Sequence, residues 1–318
     1  MIRQSLTFIL TVLISVISGC TTTSLDVKKN YVDIDDVSRI LNKNKLALNY
    51  SVNNKNKEYF ISTLLKEEYE FDIEFNDNGK KLNNNLLDSN LSFFCNSYIE
   101  DQKYKLNSWL YQESNRHEDI LVIYSKEFEA QALALKKNYP NSKFYFVNNN
   151  NYENFVTGVI GVDTSIKRFN ELQKNDKSIS ILNTPREKKD FERIYFLTDY
   201  VVGKTLVPIF RNYLIDTEFY STIDILLGVS SLKELNDFEN IIIPVPEYFF
   251  TNLSTKKIIT NLREELNQGL IEDLILAETI YQNNLFGVSA KFNSGNAKIN
   301  RGQCINRELS LLKVSLNS

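Results

Sequence analysis

A single histidine, His117, stands among 318 residues, and it is accompanied by three cysteines and one tryptophan. That scarcity removes whole classes of chemistry. A hydrolytic triad needs a base held in place by a third group, yet His117 lies in the loop-like run Asn115-Arg116-His117-Glu118 and no Gly-x-Ser-x-Gly elbow accompanies it. One histidine and so few thiols do not furnish a transition-metal site of the usual kinds. Glycine is also sparse, and Gly158-x-x-Gly161 lacks both the third glycine and the Lys-Ser/Thr pair of a phosphate loop, so it reads as a turn or packing element. The paired carboxylates Glu67-Glu68 and Glu264-Glu265 fall on predicted helix surfaces, where they read as solvated neighbours rather than a glycosidase pair. Asp33, Asp35 and Asp36 lack the glycine turn and closing glutamate of a calcium loop and read as a helix start. A net charge of −3 gives no basis for a nucleic-acid partner. No catalytic residues, cofactor or metal are implied, and the chain reads as a non-enzyme.

What is present begins at the amino terminus. Arg3 precedes an apolar core over 6–17 that is too short to span a bilayer, and the run closes on Val16-Ile17-Ser18-Gly19-Cys20. Two small residues directly before a cysteine predict a lipoprotein signal over 1–19, cleaved ahead of a lipidated Cys20. Each buried CH₂ of an acyl chain contributes ~0.8 kcal/mol, so several chains make release from a membrane negligible. Thr21 stands where an aspartate would signal inner-membrane retention. Sorting to the outer membrane, on its periplasmic face, is therefore expected. Residues 20–45 are polar and read as a tether. The remaining cysteines, Cys95 and Cys304, lie 209 positions apart, and an oxidising compartment allows them to pair. Small buried thiols are common, however, and two free thiols are the weightier expectation.

From residue 46 the chain alternates short β-rich runs with helical patterns. Strands are predicted over 46–50, 71–75, 119–124, 143–147, 178–182, 193–197, 218–222 and 309–314. Helices are predicted over 57–69, around 91–99, and over 127–138, 165–172, 201–214, 255–267 and 270–283. Ile241-Ile242-Ile243 runs into Pro244-Val245-Pro246, where the missing donors suit a crossing between lobes. A closing hairpin is predicted to turn at 300–302. Strands alternating with helices at this spacing predict an α/β protein with parallel sheets and flanking helices.

Several segments, in order, resemble the LppC family of outer-membrane lipoproteins that activate class A penicillin-binding proteins. Asn183-Thr184-Pro185-Arg186-Glu187-Lys188-Lys189-Asp190-Phe191-Glu192-Arg193-Ile194-Tyr195-Phe196-Leu197 is similar to the family's Arg-rich segment and the strand after it. Pro208-Ile209-Phe210-Arg211-Asn212-Tyr213, Phe219-Tyr220-Ser221-Thr222 and Phe238-Glu239-Asn240-Ile241-Ile242-Ile243-Pro244 continue the match. Phe292 to Ile299 and Ile305-Asn306-Arg307-Glu308-Leu309-Ser310 resemble its closing hairpin and return strand. The family's amino-terminal helical-repeat domain has only the tether in its place here, and the aromatic and glycine residues expected after the last strand are absent.

The resemblance implies a two-lobed fold of the type 1 periplasmic-binding-protein kind, with one lobe from 46–117 and 245–290 and the other from 118–244 and 291–318. It also implies binding and activation of a peptidoglycan synthase. Arg186, Lys188, Lys189, Asp190 and Arg193 are then either a docking patch, since arginine suits bidentate interface contacts, or a basic loop ahead of a strand. Phe219-Tyr220 and Tyr248-Phe249-Phe250 read as core or cleft lining. The alternative function is capture of a solute in the interlobe cleft for a transporter or sensor, with Asn49, Ser51 and Asn53 offering polar groups after the first strand. A cleft lined by convergent polar groups favours capture. A filled one favours a protein partner.

Overall fold

Four consecutive apolar residues are buried only if both faces of their strand are covered, and this is what happens to Ile120, Leu121, Val122 and Ile123 of the strand Ile120–Tyr124, here β4. The computed structural model describes residues 45–66, 70–112, 119–148, 151–175, 191–255 and 261–315. Leu121 and Ile123 face one core with Phe196, Phe210 and Ile243, while Ile120 and Val122 face a second with Leu106, Ala132 and Leu135. The strand is therefore the centre of a three-layer body.

The large sheet also contains β5 (Lys143–Phe146), β6 (Arg193–Leu197), β7 (Glu218–Ser221), β8 (Ile241–Val245) and β11 (Ser310–Lys313). Its order is β5-β4-β6-β7-β8-β11, with every pair parallel except β8 with β11. Helices connect the parallel strands: α3 (Glu129–Asn138), α4 (Tyr152–Val159), α5 (Val162–Asn175) and α6 (Tyr200–Tyr213). The chain lays β5 on one side of β4 and β6 on the other, which places a topological switch point between β4 and β6. Pro244 lies beyond the two β8 residues that pair with β7, so its missing N–H interrupts nothing on that side.

A smaller parallel sheet sets β1 (Leu46–Ser51) between β2 (Phe71–Phe75) and β3 (Lys80–Lys81). Leu46, Leu48 and Tyr50 are buried while Ala47 and Asn49 are exposed, the period-two pattern of a strand covered on one face. Helix α1 (Asn54–Lys66) packs against the long helix α8 (Leu262–Gln282), which also contacts β1. The Tyr50 hydroxyl donates to Glu278 Oε1 at 2.6 Å, and Lys80 pairs with the same carboxylate, so this buried acid is neutralised where it sits. Between the sheets the core is continuous, running from Leu46 and Phe60 to Phe219 and Val314.

The α/β class, the parallel sheets and most predicted strands are present, β2 and β6 over the very residues expected. Four expectations are corrected. The helix around 91–99 begins only at Tyr98 as α2 (Tyr98–Asn107), because Ser97 and Glu100 close a capping box there. The expected pair of helices over 255–283 is replaced by α7 (Phe249–Thr255), which ends at Thr255, and by α8, which runs unbroken through Gly269. Close approach favours glycine there: a Cβ on Gly269 would sit 3.0 Å from the Cβ of Asn293.

The hairpin turns at Asn293-Ser294, between β9 (Val288–Phe292) and β10 (Gly295–Ile299), and not at 300–302. Finally, Cys95 and Cys304 are joined, with Cα atoms 5.0 Å apart. The loop before α2 and the segment after β10 already meet through the Phe94–Ile305 bridge, which brings the thiols together. The strand predicted over 178–182, the tether and the signal lie outside the described residues.

Asp273 of α8 explains the position of the hairpin turn. Its Oδ1 accepts from the Asn293 backbone N–H at 2.5 Å and its Oδ2 from that of Ser294 at 2.9 Å. Burial pushes this carboxyl up to about 6, against the opposing pull of those hydrogen bonds and of Arg307. An unfolded aspartate ionises near 3.8, so between that value and about 6 the folded chain holds a proton that the unfolded chain has lost. Stability should thus fall by roughly 3 kcal/mol as pH rises from about 4 to about 6, and level off above. Urea unfolding between pH 4 and 7.5 checks this: the slope over that window should be shallower in Asp273→Asn than in the parent.

Candidate functional site

Doubly wound sheets bind ligands outside the carboxyl ends of their strands, at the switch point. Here Ser125 follows β4 and Thr198 follows β6, and the Ser125 N–H donates across to the Leu197 carbonyl at 3.1 Å. The Ser125 Oγ and Thr198 Oγ1 atoms are both buried and neither makes a hydrogen bond. Asp199 next to them is committed to structure: its side chain accepts from the Val202 N–H at 2.9 Å and caps α6.

After β7 the chain turns through a short 3₁₀ segment, Ile223–Leu226. Thr222 Oγ1 donates to Asp224 Oδ2 at 2.7 Å, and the Ile223 N–H donates to Gln102 Oε1 of α2 at 2.9 Å. Burial raises the Asp224 carboxyl above its ordinary value, with the Thr222 hydrogen bond opposing and Asp88 adding to the rise. Asp88 belongs to the loop after β3.

The turn after β7 is apolar and buried against α6 and α2. Ile223, Ile225, Leu226, Leu227 and Val229 are each 5% exposed or less. Packing against α6 is tight, since a Cβ on Gly203 would lie 2.4 Å from Ile225. The small-sheet side is equally occupied by its own contacts. Asn53, one of the three expected ligand groups, caps α1 by accepting from the Asn56 N–H at 2.8 Å and donates to Asn84 at 2.8 Å. The Ser51 carbonyl accepts from the Leu82 N–H at 3.0 Å. Asn49 is exposed and its Oδ1 lies where a Cβ on Gly79 would be. The structure does not bring these three together as a ligand cradle.

Of the expected docking residues, Arg193 is described. It begins β6, at the amino end of the sheet and away from the switch point, with its Nε 3.9 Å from Glu218. Arg186, Lys188, Lys189, Asp190, His117, Glu67, Glu68 and Cys20 lie outside the described residues. Gly158 sits in α4, and Gly161 takes φ +76° in the turn between α4 and α5, a packing and turn role. Glu264 pairs with Lys55 at 2.5 Å at the surface, where the α1 and α8 starts meet. Phe219, Tyr220, Phe249 and Phe250 are buried, and Tyr248 lines a cavity.

Ser125 and Thr198 were missed by motif reasoning, although each is the first hydroxyl after an apolar strand run, a signal readable from sequence. Gln102 and Asp224 carried no such signal. Among the described residues, no group of three His, Cys, Asp or Glu side chains is placed to hold a metal.

Solved structures of two kinds resemble this arrangement. LpoA proteins of Haemophilus influenzae stand among them. The LpoA carboxy-terminal domain, a regulator of PBP1A, superimposes with TM-score 0.41 at 8% identity, covering 89% of this chain and 84% of that one. Full-length LpoA gives 0.42 at 8% identity over 90% of this chain, which spans about half of LpoA's length at 50%. The second kind is represented by LivJ of Streptococcus pneumoniae, a branched-chain amino acid transporter substrate-binding protein solved with isoleucine, at TM-score 0.38 and 8% identity over 85% of this chain and 100% of that one. No family model and no curated protein matches the sequence.

Proposed function

We propose that the chain is an outer-membrane lipoprotein, anchored through Cys20, whose two-lobed α/β domain binds and activates a class A penicillin-binding protein without catalysing a reaction itself. The observation that carries this reading is that Asn53, one of the polar groups expected to hold a solute, is committed to capping α1 and to Asn84. Support also comes from the sequence resemblance to LppC activators and from the lipoprotein signal. Activation of this kind requires tighter binding to the active state of the partner than to its resting state. The lobes are proposed as 46–117 with 245–290, and 118–244 with 291–318. Arg186, Lys189, Asp190 and Arg193 form the proposed contact.

The solute-capture reading retains one specific observation, the unpaired Ser125 and Thr198 hydroxyls at the switch point. The two readings separate in one experiment. Immobilised mature chain is incubated with envelope extract labelled with fluorescent penicillin, and the native chain is separately denatured for mass spectrometry of released small molecules. Retention of a penicillin-labelled class A synthase, reduced at least tenfold by Arg186→Glu with Lys189→Glu, is the expected result. Absence of any labelled protein, together with stoichiometric release of a solute, would overturn the activator reading in favour of capture.

A further inference from the structure

Asparagine is abundant in this chain, yet a single one, Asn78, is followed directly by glycine. That pair is chemically distinct. With no side chain on the following residue, the Gly79 backbone nitrogen reaches the Asn78 side-chain amide with less steric hindrance than any other residue's nitrogen would meet. Asn78 is exposed, in the turn between β2 and β3. Two hydrogen bonds close that turn, from the Asn78 N–H to Asn76 Oδ1 at 2.9 Å and from the Gly79 N–H to the Asn76 carbonyl at 3.1 Å, and neither uses the Asn78 side chain.

Both ends of the turn are fastened to one residue of β1. The Asn76 N–H donates to the Tyr50 carbonyl at 3.2 Å, and Tyr50 is also the β1 partner of Lys80, where β3 begins. Gly79 runs so close to β1 that a Cβ on it would lie 2.6 Å from the Tyr50 carbonyl carbon. A longer backbone has no room there. Lys80 in turn supplies the ammonium that pairs with the buried Glu278 carboxylate.

We infer that Asn78 is a site of spontaneous deamidation and that its isoaspartyl product detaches β3 from β1. The Gly79 nitrogen, leaving its bond to Asn76 and losing its proton to water, attacks Asn78 Cγ; ammonia departs and a cyclic succinimide remains. Water then opens the ring at either carbonyl, giving aspartate or isoaspartate, each with a carboxylate in place of the amide. Isoaspartate routes the main chain through the former side chain and so adds a methylene to a turn held at both ends by Tyr50. One end must give. Since β2 pairs with β1 over five residues and β3 over two, β3 is the one released, and it takes from Glu278 the cation that neutralises it. None of the residues proposed to touch a synthase takes part, so neither outcome below bears on that reading.

The mature chain is aged in mildly alkaline buffer and digested with trypsin, and the peptide 67–80 is followed by mass spectrometry with electron-transfer fragmentation, which separates isoaspartate from aspartate. Asn78 should lose its amide at least tenfold faster than Asn76 of the same peptide, and faster still as pH rises, because the attacking nitrogen must be deprotonated. Hydrogen exchange over 79–82, read on isoaspartyl peptides of the aged chain, should be at least tenfold faster than in fresh chain. Asn78→Asp, which carries the new charge without the added methylene, should exchange like the fresh parent. Retention of the Asn78 amide, or its loss no faster than that of Asn76, would overturn the site, and isoaspartyl chain exchanging like Asn78→Asp would overturn the detachment.

Discussion

Reducing the Cys95–Cys304 bridge should lower the unfolding free energy by about 5 kcal/mol, the figure that chain entropy gives for a loop of this size. The cross-link spans 209 positions, so in the unfolded state it removes more freedom than a local bridge would. In the folded state it ties the loop ahead of α2 to the segment after β10, beside the Phe94–Ile305 bridge. Cys304 is exposed, and reductant therefore reaches the bond without prior unfolding. Urea unfolding with and without dithiothreitol, and of Cys95→Ser/Cys304→Ser, measures the effect. The midpoint should fall sharply and equally in both cases.

Arg307→Met should cost about 3–5 kcal/mol, because it strips one partner from a buried ion pair. The Arg307 side chain is fully buried and Asp101 is only 10% exposed, with Nη1 2.7 Å from Oδ2. The same guanidinium donates to the Asn96 carbonyl at 2.9 Å and to Ser294 Oγ at 2.8 Å, and it stacks 4.0 Å from the Phe94 ring centroid. It therefore joins α2, the hairpin turn and the disulfide loop. Removing it leaves the Asp101 carboxylate without its partner in a mostly buried site. Asp101→Leu with Arg307→Met should recover a large part of the loss, since an apolar pair of similar volume carries no stranded charge. Thermal unfolding of the two single variants and the double one closes the cycle, and additive losses would show that the pair is not coupled.

Elements whose cause is local were legible from the sequence. Ile120–Tyr124 announces a buried strand by unbroken apolar content and Arg193–Leu197 by the apolar run after its arginine, whereas Pro244 and Val245, expected in a crossing between lobes, belong to β8. The periodicity over 201–214 gives α6 almost to the residue. Elements whose cause is distant were not legible. Gly269 reads as a break until Asn293 is seen packed against it, and Asn300-Arg301-Gly302 reads as a hairpin turn until Asp273 is seen holding Asn293 and Ser294.

Arg307 looks like a surface residue of a return strand, since nothing nearby reveals that Asp101 waits 206 positions away. The disulfide belongs to the same class: two thiols are visible, their proximity is not. At the candidate site the hydroxyls after β4 and β6 had a readable cue, whereas burial of the turn after β7 depends on how it meets α6 and α2.

The most direct measurement is the cross-linking rate of a purified class A penicillin-binding protein on lipid-linked precursor, with and without the mature chain at saturating concentration. A several-fold rise, lost in Arg186→Glu/Lys189→Glu while that variant stays folded, is the predicted result. An unchanged rate in the presence of fully folded, disulfide-bonded chain would contradict the proposed function.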